Sequence, residues 1–209
     1  MDENALFQQK LPPAFYLRKN VVQIAQELLG KLLVSVQDGQ LVAVRIVETE
    51  AYAGATDKAS HAYNNRRTAR TEVMFGEGGQ AYVYLCYGIH HLFNVVTNQA
   101  AIPHAVLIRA GEIVMGETTV MHRYRSSQME NRFGKGPGNL SKALGITTAL
   151  TATSLQSDAL FIADDGHRIA KTQIIATPRI GVDYAGADAL LPYRFIVAGH
   201  PAVSGKKNY

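Results

Sequence analysis

Two carboxylates separated by one residue, Glu48 and Glu50, follow the run Val44-Arg45-Ile46-Val47 and lead into Ala51-Tyr52. In a strand, alternation sets Val44, Ile46, Glu48, Glu50 and Tyr52 along one face, which runs from apolar to acidic. Two carboxylates on a face that starts in a core are costly to bury without partners, so the strand end is a candidate site. The same face could also simply emerge into solvent. Glu48 and Glu50, with His61, His90 and His91, are residue types that bind a metal for hydrolysis. Their spacings match no compact zinc motif, and no cysteine pair assists.

Behind His61 come Arg66, Arg67 and Arg70, with Thr68 and Thr71 among them. Such a run could grip successive phosphates, or it could be a solvated loop. In Ala81-Tyr82-Val83-Tyr84-Leu85-Cys86-Tyr87, the side chains of Tyr82 and Tyr84 share a face, while Tyr87 falls opposite and abuts Gly88. Strand tyrosines usually pack in a core or across strands. One at a hairpin tip has little core to reach and can instead wedge between base pairs. Gly76-Glu77-Gly78-Gly79 lacks the Gly-Lys-Ser/Thr of a phosphate loop and leads into a strand, which argues against nucleotide binding.

These residues need a frame. Asn20 is placed to cap a helix over Val21 to Leu29, with Gly30 as its stop. Lys31 to Gln37 and Leu41 to Tyr52 read as strands turned at Asp38-Gly39. Residues 53–80, rich in Gly, Asn, Arg and Thr, form a loop too long for a simple connection. Strands resume at Ala81 to Tyr87 and Leu92 to Asn98, around Gly88-Ile89-His90-His91, and at Ala105 to Ile113. Helices are expected near Glu117 to Arg125 and Leu140 to Leu144, then strands around Leu160 to Ala163, Gln173 to Ile180 and Tyr193 to Val197. Hairpins outnumber strand-helix alternations, so the expected class is α+β: a mixed or antiparallel sheet with packed helices.

The 209 residues, 47% hydrophobic and 18% charged, suit one globular domain over residues 1–209, with a frayed polar tail at 204–209. A net charge of +4 favours a polyanionic partner only modestly. Cys86 cannot form an internal disulfide and is expected to be a buried thiol. With no secretory signal and no apolar run approaching the ~20 residues of a membrane span, an intracellular protein without membrane association is expected.

Several runs together resemble the alkyladenine (3-methyladenine) DNA glycosylase family in order and spacing. They are Arg45 to Tyr52, Ala59-Ser60-His61, Tyr82 to Gly88, Phe93-Asn94, Ala105 to Ala110, Lys135-Gly136-Pro137-Gly138-Asn139-Leu140, Arg179-Ile180-Gly181-Val182 and Arg194-Phe195-Ile196-Val197. The resemblance covers nearly the whole chain, and the combination is more specific than any one motif. It implies one compact domain with a curved, mainly antiparallel sheet and a protruding β-hairpin. It implies that Glu50 is the general base for a water held with Arg109 and the Ile180 carbonyl. Tyr52, His61 and Tyr84 would sandwich an extruded base whose edge is read by the backbone around Ala59 and His61, and Asn94 would clash with a guanine amino group. Tyr87 would fill the gap left in the duplex, with Ile89 beside it, and Thr68, Arg70 and Met74 would lie along the DNA backbone.

The implied partner is double-stranded DNA containing damaged purines, met by a monomer with no metal or other cofactor. The location would be the cytoplasm or nucleoid of a bacterium, or the nucleus of a eukaryote. The implied reaction is base excision without strand cleavage, because no amine nucleophile is supplied for a Schiff base. Some relatives have lysine where this chain has Asn139 and Thr148, and Ser60 and Tyr63 also differ from some relatives. A module that only binds distorted DNA would use the same wedge and charge, but an acid facing DNA costs affinity unless it has a task.

Overall fold

The computed structural model describes residues 3–130 and 132–205. Its centre is an eight-stranded sheet: β1 (Leu32–Gln37), β2 (Gln40–Tyr52), β3 (Ala81–Cys86), β4 (His90–Thr97), β5 (His104–Met115), β6 (Leu160–Ala163), β7 (Ile174–Thr177) and β8 (Arg194–Val197). The path β3-β4-β5-β2-β1-β6 is antiparallel throughout, and β8, carrying β7, joins β2 in the same sense. Thus β2 is the hub. β5 runs along one edge; β1 takes the first half of the other edge and β8 the second, from Glu48 to Glu50.

The local signals explain these elements. The Asn20 side chain accepts the Gln23 N–H at 3.0 Å and starts helix α3 (Val21–Glu27). Asp38 and Gly39 both have positive φ, 52° and 71°, as a two-residue hairpin turn demands. Helices α4 (Glu117–Tyr124) and α5 (Pro137–Leu144) join α3 in the large core cluster, where Leu28, Val120, Leu140 and Leu144 meet Val83, Val95, Val106 and Ile108. Residues 53–80 have no strand until Gln80 and fold as short 3-10 turns. The sheet face away from the large cluster is covered by Ala62, Met74 and Phe75 at the β3–β5 end, and by Leu6 of α1 (Glu3–Gln8) near β6.

One expectation about β2 is overturned. Val42, Val44 and Ile46 belong to the large cluster, but so do Val47 and Ala51, and Thr49 donates to the Ala25 carbonyl of α3. The register explains this: Ile46 pairs with Gly111 and Glu48 with Ala110, leaving Val47 as an extra residue. A bulge shifts the alternation by one, so Val44 and Ile46 do not share a face with Glu48, Glu50 and Tyr52. The backbone crowds here; a Cβ on Gly111 would lie 2.9 Å from Val44 Cγ2.

Other differences are smaller. Helix α1 and the four-residue α2 (Pro13–Tyr16) were not foreseen, nor was the turn over Asp183–Leu190. The Gln173 to Ile180 strand contracts to β7 because Gln173 ends a 3-10 turn and Pro178 has no N–H to donate. Cys86 is only half-buried. Ser204, expected in a frayed tail, is 7% exposed and hydrogen-bonded into the sheet; residues 206–209 of that expected tail lie outside the described residues. Among the described residues no helix is long and apolar enough to cross a membrane.

Candidate active site

The shifted half of β2 puts Glu48, Glu50 and Tyr52 on the sheet face that also carries Tyr82, Tyr84, Asn94, Leu107 and Arg109. Glu50 has no exposed surface. One carboxylate oxygen accepts the Ile180 N–H at 2.9 Å and faces Arg109 Nη1 at 3.3 Å; the other accepts the Tyr52 hydroxyl at 2.8 Å. Burial, followed by the charge of Glu50, pushes the Tyr52 phenol well above its usual range, so it remains a donor. Ile180 thus contacts Glu50 through its N–H.

Tyr52, Arg109 and Ile180, which contact Glu50, line a cavity of about 420 Å³, which is large enough for a flat heterocycle. Its walls include His61, Tyr84 and Asn94. His61 and Tyr84 touch edge to face with centroids 4.7 Å apart, forming one wall, and Tyr52 stands among the other lining groups. The His61 Nδ1 lies 2.8 Å from the Tyr82 hydroxyl. Burial, then Arg70 and Arg66, holds the imidazole down at about 4, so it is neutral near pH 7. Asn94 is 4% exposed, and its Nδ2 donates to the carbonyls of Tyr82 and Leu92. Ala59 is buried, and its carbonyl accepts the Tyr184 hydroxyl at 3.1 Å.

At the rim of the cavity, Tyr87 and Ile89 crown the β3–β4 hairpin at 92% and 71% exposure, and Tyr87 contributes to the cavity lining. Thr68 and Arg70 are exposed and line a neighbouring hollow with Lys58 and Arg66, and no carboxylate contributes to that lining; Arg70 also lines the cavity itself, over the Tyr84 ring at 4.6 Å and with Nη2 3.4 Å from His61 Nε2. Arg67, grouped with them in the sequence, is paired with Glu72 instead. Met74 is 2% exposed and packs with Ala62, Phe75 and Tyr82 beneath the cavity. The whole Met74 residue, backbone included, is thus nearly closed off and its N–H is donated to the Thr71 carbonyl, so it presents little surface for the expected placement along a DNA strand; it lines the cavity instead. Glu48, Glu50, His61, His90 and His91 do not gather as a ligand set: among the described residues no three His, Cys, Asp or Glu come together to hold a metal.

Sequence reasoning missed the pairings that hold these parts in place, and Asp57 and Ser204 among their members. Asp57 accepts both Arg179 guanidinium nitrogens and the N–H groups of Ala53 and Ala59. Glu48 accepts from Arg109, Arg194 and Ser204. Acidic and basic residues so far apart in the chain carry no local signal; an aspartate four residues after an Ala-Tyr-Ala strand end is visible only as a turn former.

Comparison with known proteins gives the class first: the chain matches DNA glycosylases over almost all its length. The family described as methylpurine-DNA glycosylase (MPG) covers residues 14–201, and the chain belongs to that family. A relative from Bacillus cereus strain G9842, named as a candidate 3-methyladenine DNA glycosylase, is 47% identical over 203 residues, covering 93% of this chain and 98% of the relative. Relatives of the same name from Bacillus thuringiensis strain Al Hakam and Bacillus anthracis strain CDC 684 are 46% identical with the same coverage.

Proposed function

We propose that the protein is a monofunctional DNA glycosylase that draws alkylated or deaminated purines out of duplex DNA and hydrolyses the N-glycosidic bond, initiating base excision repair. The observation that carries this reading is Glu50, held by three donors immediately behind the aromatic cavity. Arg109 and Ile180 touch Glu50 and also line the cavity, so a water between them and the sugar is within the carboxylate's influence. The anion orients that water, takes its proton and favours positive charge growing on the sugar.

An alkylated purine is already cationic and leaves readily. Two phenol rings and a neutral imidazole offer it π-faces, on a wall it shares with the Arg70 guanidinium 4.6 Å over the Tyr84 ring. Neutral hypoxanthine is the harder leaving group, because it needs a proton as it departs. Tyr87 at the hairpin tip fills the vacated stack, with Ile89 beside it. Thr68, Arg70 and the cationic hollow follow the phosphates of the damaged strand. The cavity lining contains no lysine, in keeping with a reaction that stops at base release and leaves the strand intact. The protein works as a monomer on damaged duplex DNA inside the cell.

Release of free base from a duplex carrying 3-methyladenine or hypoxanthine tests this directly. Wild type should release base and give strand breaks only after alkali, whereas Glu50→Gln should bind lesion DNA with the rate reduced by about 10²–10⁴-fold. Tight lesion binding by wild type without release from any substrate would make the protein a damage-binding module; unchanged release by Glu50→Gln would remove Glu50 from its role.

A further inference from the structure

Glu48 is completely buried, yet it is not on the cavity wall. Its Oε1 accepts from Arg194 Nε at 2.6 Å, the Ser204 hydroxyl at 2.9 Å and Arg109 Nε at 3.1 Å, and its Oε2 accepts the Ser204 N–H at 2.7 Å. Arg194 Nη2 closes the ring by donating to the Ser204 carbonyl at 2.8 Å. Two carboxylates and two guanidiniums thus share one enclosed space, and Arg109 lies between the carboxylates, with Nε toward Glu48 and Nη1 toward Glu50.

A guanidinium presents several donors, and a buried carboxylate able to take two of them draws a bidentate pair. Left alone with Glu50, Arg109 could satisfy itself by turning its fork wholly onto that carboxylate, occupying the acceptor sites needed for a water. Glu48 prevents this by engaging the Nε edge. Arg194 and Ser204 fix Glu48 in turn, and the Ser204 hydroxyl also accepts from Arg109 Nη2 at 3.5 Å.

We propose that Glu48, anchored by Ser204, is a positioning residue for base release: it holds Arg109 by Nε so that the remaining guanidinium edge serves Glu50 and the cavity. This rests on the glycosidase reading of Glu50. Because Glu48 acts through Arg109, its removal slows the chemical step without loosening the grip on DNA.

The test is single-turnover base release from duplex DNA containing hypoxanthine, with binding of the same duplex measured separately, for wild type, Glu48→Gln, Ser204→Ala, Arg109→Gln and the double variants with Arg109→Gln. Glu48→Gln should slow release by about 10²-fold, the cost of a misplaced group, while binding changes little. Ser204→Ala keeps every charge in place and should show a smaller loss of the same kind, which keeps the proposal testable if Glu48→Gln does not fold. In the Arg109→Gln background neither change should slow release further. Losses of equal size in both backgrounds, or unaltered rates in Glu48→Gln and Ser204→Ala, would overturn the proposal. Failure of wild type to release base from this duplex and from one carrying 3-methyladenine would instead overturn the functional reading on which it rests.

Discussion

Arg179 and Asp57 meet through both ends of their forks, Nη1 to Oδ2 at 2.5 Å and Nη2 to Oδ1 at 2.9 Å, with both side chains shielded from solvent. The pair joins two stretches that share no strand. Asp57 also takes the Ala59 N–H, which leads into the His61 wall, while Arg179 precedes Ile180, whose N–H reaches Glu50. Arg179 additionally donates to the Ala51 carbonyl and covers the Tyr52 ring at 4.8 Å. One ion pair therefore sets the spacing between the aromatic wall and the carboxylate.

Breaking it by Arg179→Met should lower the unfolding free energy by about 3–5 kcal/mol, because a carboxylate is left buried without its charge partner. Urea denaturation reads the change. A loss below about 1 kcal/mol would be the behaviour of an exposed pair and would contradict the burial described here.

Tyr87 adopts φ 51°, a left-handed conformation that disfavours a bulky side chain. Asparagine accepts that conformation more readily, and the tyrosine ring is almost wholly exposed. Tyr87→Asn should accordingly keep or slightly raise thermal stability while weakening binding to lesion duplexes. A marked fall in melting temperature would assign the ring to packing and count against its use as a wedge.

His61 has a pH signature of defined sign. The folded imidazole takes its proton only near 4, owing to burial and then Arg70 and Arg66, whereas an unfolded histidine does so near ~6.5. Between those values the unfolded chain binds a proton that the folded chain refuses, so His61 makes stability fall as pH drops from about 6.5 to about 4, with no further loss from this group below that. An NMR titration of the His61 ring follows it; a midpoint near ~6.5 would show that the ring is open to solvent.

Asn94 is oriented by two donated hydrogen bonds, to the carbonyls of Tyr82 and Leu92. Asn94→Ser should cost about 1 kcal/mol of stability and enlarge the cavity beside Tyr82. Release of purines bearing the guanine amino group should increase relative to hypoxanthine. Unchanged selectivity among these bases would leave Asn94 a structural residue only.

Much of this architecture was legible in the chain because its signals are local. Asn20, Asp38-Gly39 and the Gly88 tip each act on the backbone next to them, and eight short runs from Arg45 to Val197, taken together in order and spacing, carried the family resemblance. Alternation through β2 failed at Val47, because a bulge depends on what the partner strand allows, here the absence of a side chain at Gly111. The Asp57–Arg179 pair was out of reach for a related reason: its members lie 122 residues apart and neither is distinctive in its own segment. Helix α1 contributes a single buried residue, Leu6, too little to form an apolar stripe.

Glu48 and Ser204 are 156 residues apart, and their two hydrogen bonds give the site an order in time. As the chain leaves the ribosome, the strand bearing Glu50 emerges early, but the group that secures its neighbour is among the later residues to be made. A nascent chain can assemble the β1–β2 hairpin and even the β3–β4 hairpin tip while the buried charges still lack their closing contact. Maturation of the carboxylate environment is consequently coupled to completion of the fold, and a chain ended before Ser204 would keep Glu50 yet lack the contact that secures Glu48.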